Sequence, residues 1–141
     1  MAAADLNTIR ATIESRLATE LAKSPPIPVV FHNMPYTPTP NSSWVQCLTT
    51  FGASEYLSQG LTSSSQNRVV GIVVINIFSA KGRGSGPNYK IGKRVRDLYN
   101  RVIASGIFFD AVNGPAVLAS PAPESYYQTQ VRVTFEFIEE L

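Results

Sequence analysis

Near the start of the chain apolar residues recur at intervals of three and four, at Leu6, Ile9, Ile13, Leu17 and Leu21. This predicts one amphipathic helix over Asp5–Lys23. Asp5 suits the N-cap, where a carboxylate accepts from free backbone N–H groups, and Lys23 suits the negative end of the helix dipole. Ser24-Pro25-Pro26 then stops the helix, because proline lacks the N–H and restricts the residue before it. After that the period shortens. Val29–Asn33 reads as a short strand. Met34–Ser43, with Pro35, Pro38 and Pro40, reads as loop, and Trp44–Phe51 as a strand rich in apolar bulk. Ser54–Asn67 is polar throughout its serine-rich middle and reads as a long, mobile connection, with a short paired extension at Tyr56-Leu57. Val69–Phe78 follows as the central strand. It is apolar on both parities, with Val69, Val73, Ile75 and Ile77 on one and Val70, Ile72, Val74 and Phe78 on the other. Only Gly71 and Asn76 interrupt it.

Ile91, Val95, Leu98 and Val102 return to helical spacing and predict a second helix over Pro87–Ala104, ended by Gly106. Two short strands, Ile107–Phe109 and Ala116–Leu118, are expected around an Asn113-Gly114 turn. Ser120-Pro-Ala-Pro123 forms a stiff loop. In Tyr127–Phe137 the residues Val131, Val133, Phe135 and Phe137 alternate with Gln130, Arg132, Thr134 and Glu136, the pattern of a half-buried antiparallel strand. The order α-β-β-β-α-β-β-β predicts an α+β fold: a mainly antiparallel β-sheet with two helices packed on one face, in one domain over residues 1–141. A strand apolar on both faces needs both covered. Two helices account for one face, so the other should meet a second strand layer or another subunit.

Charge changes this picture through its distribution. The net charge is only +2, but Arg68 to Arg101 holds eight basic residues against Asp97, a net +7, and the remainder carries −5. Such asymmetry speaks about partners. The single cysteine, Cys47, excludes an intramolecular disulfide and a cysteine-cluster metal site, and the single histidine, His32, leaves little for a histidine-based one. No apolar run reaches the roughly 20 residues of a membrane span, and Met1-Ala-Ala-Ala-Asp5 does not open a signal peptide. A cytosolic place of synthesis is the expectation.

The loop Gly82-Arg-Gly-Ser-Gly86 lies between a strand and a helix, where anions can bind. It fails both nucleotide motifs. Gly92-Lys93 is followed by Arg94, with Pro87 where a P-loop begins in glycine, and Gly84 has Pro87, not glycine, three residues on. A flexible turn explains the glycines. The basic residues of this loop and of the second helix, Lys81, Arg83, Lys90, Lys93 and Arg94, are candidates for a surface that meets DNA or an acidic partner. No serine sits in Gly-x-Ser-x-Gly, and Glu136, Glu139 and Glu140 read as the solvated end of a strand, so no catalytic set and no cofactor is expected.

In order, the chain presents the helix Ile9-Arg-Ala-Thr-Ile13-Glu-Ser-Arg-Leu17, the proline loop Val30-Phe-His-Asn-Met-Pro-Tyr-Thr-Pro38 and the strand Gly71-Ile-Val-Val-Ile-Asn-Ile-Phe78. The Gly82–Gly86 loop follows, then a helix from Asn88 with Ile91, Val95, Arg96 and Leu98, and the strand Val131-Arg-Val-Thr-Phe135. This succession resembles the tail terminators of long-tailed bacteriophages, the group that includes the lambda minor tail protein U. The resemblance implies a non-enzymatic virion protein, made in the host cytoplasm. It would assemble as a homo-oligomer, usually a hexameric ring, at the top of the tail. It would stop polymerisation of the tail tube protein and offer a surface to head and neck proteins, with genomic DNA passing through the lumen and no membrane involved. A head-completion or neck connector between portal and tail is the alternative, and an independent nucleic-acid-binding module a third. On the terminator reading the basic residues line the lumen or meet a partner. Tyr56, Leu57, Val73, Ile75 and Ile77 are the expected subunit interface.

Overall fold

The computed structural model describes residues 5–37, 42–58, 66–80, 82, 84–117 and 126–140. Its elements are α1 (Leu6–Ala22), β1 (Val29–Phe31), β2 (Trp44–Ser58), β3 (Gln66–Ala80), α2 (Gly86–Tyr99), β4 (Ile103–Ala104), β5 (Ile107–Phe109), β6 (Asn113–Val117) and β7 (Tyr126–Glu140). This is the expected order with one two-residue strand added after α2. In the single mixed sheet the order is β1-β2-β3-β7-β5-β4, and β6 lies beside β7. Among the described residues only the β1/β2 pair is parallel.

The first helix starts where its cap predicts. The Asp5 carboxylate accepts from the Asn7 N–H at 3.0 Å and from the Thr8 hydroxyl at 2.9 Å. Ile13, Leu17 and Leu21 are fully buried, and Leu6 at the open end of the stripe is exposed. Both helices pack on one face of the sheet, over Val45, Cys47, Val73, Ile75, Ile77, Val131, Val133 and Phe135.

Three segments depart from expectation. Both ends of the polar stretch 54–67 are strand, since β2 runs to Ser58 and β3 begins at Gln66, with Glu55 opposite Arg68 and Tyr56 opposite Asn67. Two strands can pair through their backbones whatever their side chains, so polar residues there do not exclude strand. The expected connection shrinks to residues 59–65, outside the described residues. The second helix stops at Tyr99, five residues early. Asn100 accepts from the Val112 N–H at 3.0 Å, and Arg101 turns left-handed at φ 56°. The chain then reverses through Ser105 and Gly106, both at positive φ, as a two-residue hairpin between β4 and β5 requires. Finally, Asn113-Gly114 is a bulge inside β6, not a turn. A Cβ on Gly114 would lie 2.5 Å from the Gln130 carbonyl oxygen, so only glycine lets β6 approach β7 there. Leu118 and the Ser120–Pro123 loop fall outside the described residues.

The two interruptions of β3 have separate causes. A Cβ on Gly71 would meet the Phe135 ring at 2.4 Å and the Thr50 carbonyl oxygen at 2.6 Å, so glycine seats that ring. Asn76 faces away from the helices and joins three strands. It donates to Gln46 at 3.1 Å and accepts from Gln128 at 3.1 Å and Gln130 at 3.0 Å.

Candidate functional site

The basic residues predicted from sequence separate into different roles. Lys90 is exposed on α2. Lys93 is exposed beside Asp97, one turn on, with its ammonium 2.9 Å from that carboxylate. Pairs of this kind leave both charges available to a partner at little cost. Arg94 turns inward instead. It donates to the carbonyl oxygens of Glu20 (2.6 Å), Pro25 (2.8 Å) and Lys23 (3.3 Å), and its Nε lies 3.5 Å from the Glu20 carboxylate. These carbonyls belong to the end of α1 and the residues just after it; the Glu20 oxygen also accepts from the Lys23 N–H at 3.2 Å, and the Lys23 and Pro25 oxygens lie past the last helical turn. Arg94 therefore clamps the helices together. Lys81 and Arg83 lie outside the described residues; between them Gly82 stands at φ 81°.

Three further anchors fix the basic helix. Asn88, fully buried, donates to the carbonyl oxygens of Ile77 (2.9 Å) and Tyr127 (3.2 Å) and to the Ser79 hydroxyl (3.3 Å), while its Oδ1 accepts from Thr129. The Tyr99 hydroxyl donates to the Ile13 carbonyl oxygen at 2.7 Å, and burial pushes its phenol well above the ordinary range. Arg16 donates to the Leu98 carbonyl oxygen at 2.9 Å. None of these three was singled out from sequence. The one available signal was an asparagine just inside a helix start, where the amide either caps locally or reaches a neighbour.

The proposed interface residues divide by parity. Val73, Ile75 and Ile77 have no exposed surface and lie under the helices of their own chain, so they have nothing to offer a neighbour. The opposite parity stays open. Val70, Ile72 and Val74 are half-buried with no covering layer among the described residues, beside exposed Thr50, Arg132 and Thr134. Exposed Ile138, Phe108 and Ile103 continue this face toward β5 and β4. At its other corner Trp44 stacks on Phe78 with centroids 4.1 Å apart, and Tyr36 tilts against Trp44 at 5.3 Å. Tyr56 and Leu57 belong to the outlying part of β2.

As to reactive groups, burial pushes the Cys47 thiol up to about 12, with the Glu14 carboxylate adding to the shift. It is a packed core group, protonated at neutral pH. His32 lies exposed in the turn after β1. Among the described residues no three metal-binding side chains cluster, and no helix is long and apolar enough to cross a membrane.

A family model described as phage tail terminator protein matches residues 8–135. A solved structure superposes with a TM-score of 0.69 over 94% of this chain and 95% of its own, at 16% identity, a likeness that speaks for the fold alone. No curated protein matches the sequence.

Proposed function

The chain belongs to the phage tail terminator family, and from that premise we propose that it closes into a ring, six-membered by the family resemblance, on the end of the tail tube. There it stops tube polymerisation and presents a surface to head and neck proteins, with DNA passing through the lumen. Membership itself places the protein among structural components of the phage tail that meet tail and head parts. The observation that carries the finer reading is the uncovered sheet face. Three strands of fifteen residues span about 45 Å each at ordinary strand rise, while the 17-residue and 14-residue helices reach about 25 and 21 Å. Both helices lie on the opposite face, over Val73, Ile75 and Ile77, so Val70, Ile72 and Val74 are left for a neighbour to cover. Lys90 and Lys93, together with Lys81 and Arg83 before α2, are assigned to a lumen or partner surface. Arg94 contributes by holding α1 and α2 together. Tyr56 and Leu57 stay assigned to subunit contact.

Tails assembled without this protein test the reading. Tubes longer than wild type that fail to join heads are expected, with length control restored by adding purified protein. Tubes of normal length would overturn it. Finding the protein on purified tails that lack heads separates a terminator from a connector brought in with the head.

A further inference from the structure

The sheet is open along an edge as well as on a face. β1 pairs with β2 only from Val45 to Cys47, yet β2 continues to Ser58. Over Leu48–Ser58 the β2 backbone has β3 on one side and, among the described residues, no strand on the other. Unpaired edges of this length attract another strand, and proteins that must avoid it place lysine or proline there. The stretch Leu48-Thr-Thr-Phe-Gly-Ala-Ser-Glu-Tyr-Leu-Ser58 contains neither, and the part of it in unbroken register with β3, ahead of the shifts at Phe51/Ser54 and Tyr56/Ser58 and of Glu55, is Leu48–Phe51.

The opposite edge is also open. It ends in β4, where Ile103 is 68% exposed and adjoins exposed Phe108 on the same helix-free face as Thr50. Charge differs in sign between the far end of the long strands, mostly on β7, and the exposed side of α2. The outlying end of the long strands holds Glu55, Glu136, Glu139 and Glu140 against Arg68, which already bridges Glu136 at 3.2 Å. The exposed side of α2 and the turn leading into β4 hold Lys90, Lys93, Arg96 and Arg101 against Asp97.

We propose that the free stretch of β2 is a strand-addition site for the next copy of this chain, which presents the β4 edge of its own sheet. The copies then join head to tail, the acidic strand ends of one beside the basic α2 side of the next. Such a contact uses two different patches per subunit, so it repeats around a ring without a two-fold axis. This contact rests on the terminator reading and names the partner of its open edge.

Engineered disulfides test it. Side chains opposite one another across a strand pair lie about 5 Å apart at Cβ, within reach of a disulfide. Ile103→Cys is combined with Leu48→Cys or with Thr50→Cys in the full chain, bound to tail tubes and oxidised. Cys47, buried and protonated, serves as the silent background. A non-reducing gel is expected to show a ladder of covalent oligomers from at least one double variant and only monomer from each single variant. Tube-bound protein with no ladder from either pair would overturn the contact. So would a covalent dimer from Thr50→Cys alone, which marks β2 meeting β2. Binding to tubes is read separately by sedimentation. Loss of cross-linking with binding intact sinks only the edge contact, whereas wild type that fails to bind tubes sinks the terminator reading beneath it.

Discussion

Arg94 and Lys93 are neighbours on one helix, both basic and both near the surface, yet they should behave oppositely when neutralised. Arg94→Ala removes three donors from carbonyl oxygens and one ion pair, and is expected to cost about 1–3 kcal/mol in urea denaturation. Lys93→Ala, losing only an exposed pair, should stay within about 0.5 kcal/mol. Asn88→Ala strands several buried groups and should cost about 2–4 kcal/mol in the same assay. Cys47 gives a pH signature. Its folded pKa is raised from 9.0 to about 12, so the unfolded chain releases this proton first. The contribution is therefore fully present below pH 9 and is lost as pH rises toward 12, with a slope approaching 1.4 kcal/mol per pH unit. Tyr99 adds a slope of the same sign above its ordinary range. The thiol's share is the difference between wild type and Cys47→Val, and parallel curves would contradict it. At this scale the sequence says which residues are basic, but not which are spent on their own fold. That depends on where α1 ends relative to α2, a contact between positions about seventy residues apart.

Elements were legible where a hydrophobic period was anchored by packing. Both helices, β1 and the cores of β2, β3 and β7 can be read from Ile13, Leu17, Val73, Ile75, Val131 and Val133, because one face of each is pressed into a common core. Failures fall where packing stops. The far ends of β2 and β3 pair with each other through Gln66, Asn67 and Arg68, polar positions that give no hydrophobic period to read. The last turn predicted for α2 was lost to a hairpin whose Ser105-Gly106 reversal was hidden behind apolar Val102 and Ile103. Glycine was informative only where it seats another element. Gly71→Ala would drive a Cβ into the Phe135 ring and the Thr50 backbone, and should cost about 2–4 kcal/mol with loss of sheet packing. Gly92 lies where Pro115 approaches α2, with Cγ 2.7 Å from a built Cβ. Gly92→Ala should thus be net destabilising in a thermal melt, although alanine favours a helix by about 1 kcal/mol. A rise in melting temperature would show that Pro115 gives way.

Across the whole molecule, the unequal treatment of the two sheet faces is the central fact. One face is closed by helices and holds the candidate interface residues Val73, Ile75 and Ile77. The other leaves Val70, Ile72 and Val74 half-buried beside Thr50 and Arg132. The double apolarity of β3 calls for cover on its second face, from a second strand layer or from another subunit, because a chain gains little by placing β-branched residues on a wet surface. It could not say which parity would face inward, since both are equally apolar and only the helices break the tie. The same fact makes Ile72→Lys a clean probe. A charge on the open face should leave the monomer within about 1 kcal/mol of wild-type stability while weakening the contact that covers this face, separately from the β2–β4 edge.

Ring assembly is read from the mass of the wild-type protein, measured by light scattering across concentration with and without tail tubes, with electron microscopy of the same fractions. Closed rings of about six subunits with a central hole, free or formed on tube ends, are the predicted result. A wild-type protein that remains monomeric in the presence of tubes and leaves their ends uncapped would contradict the account.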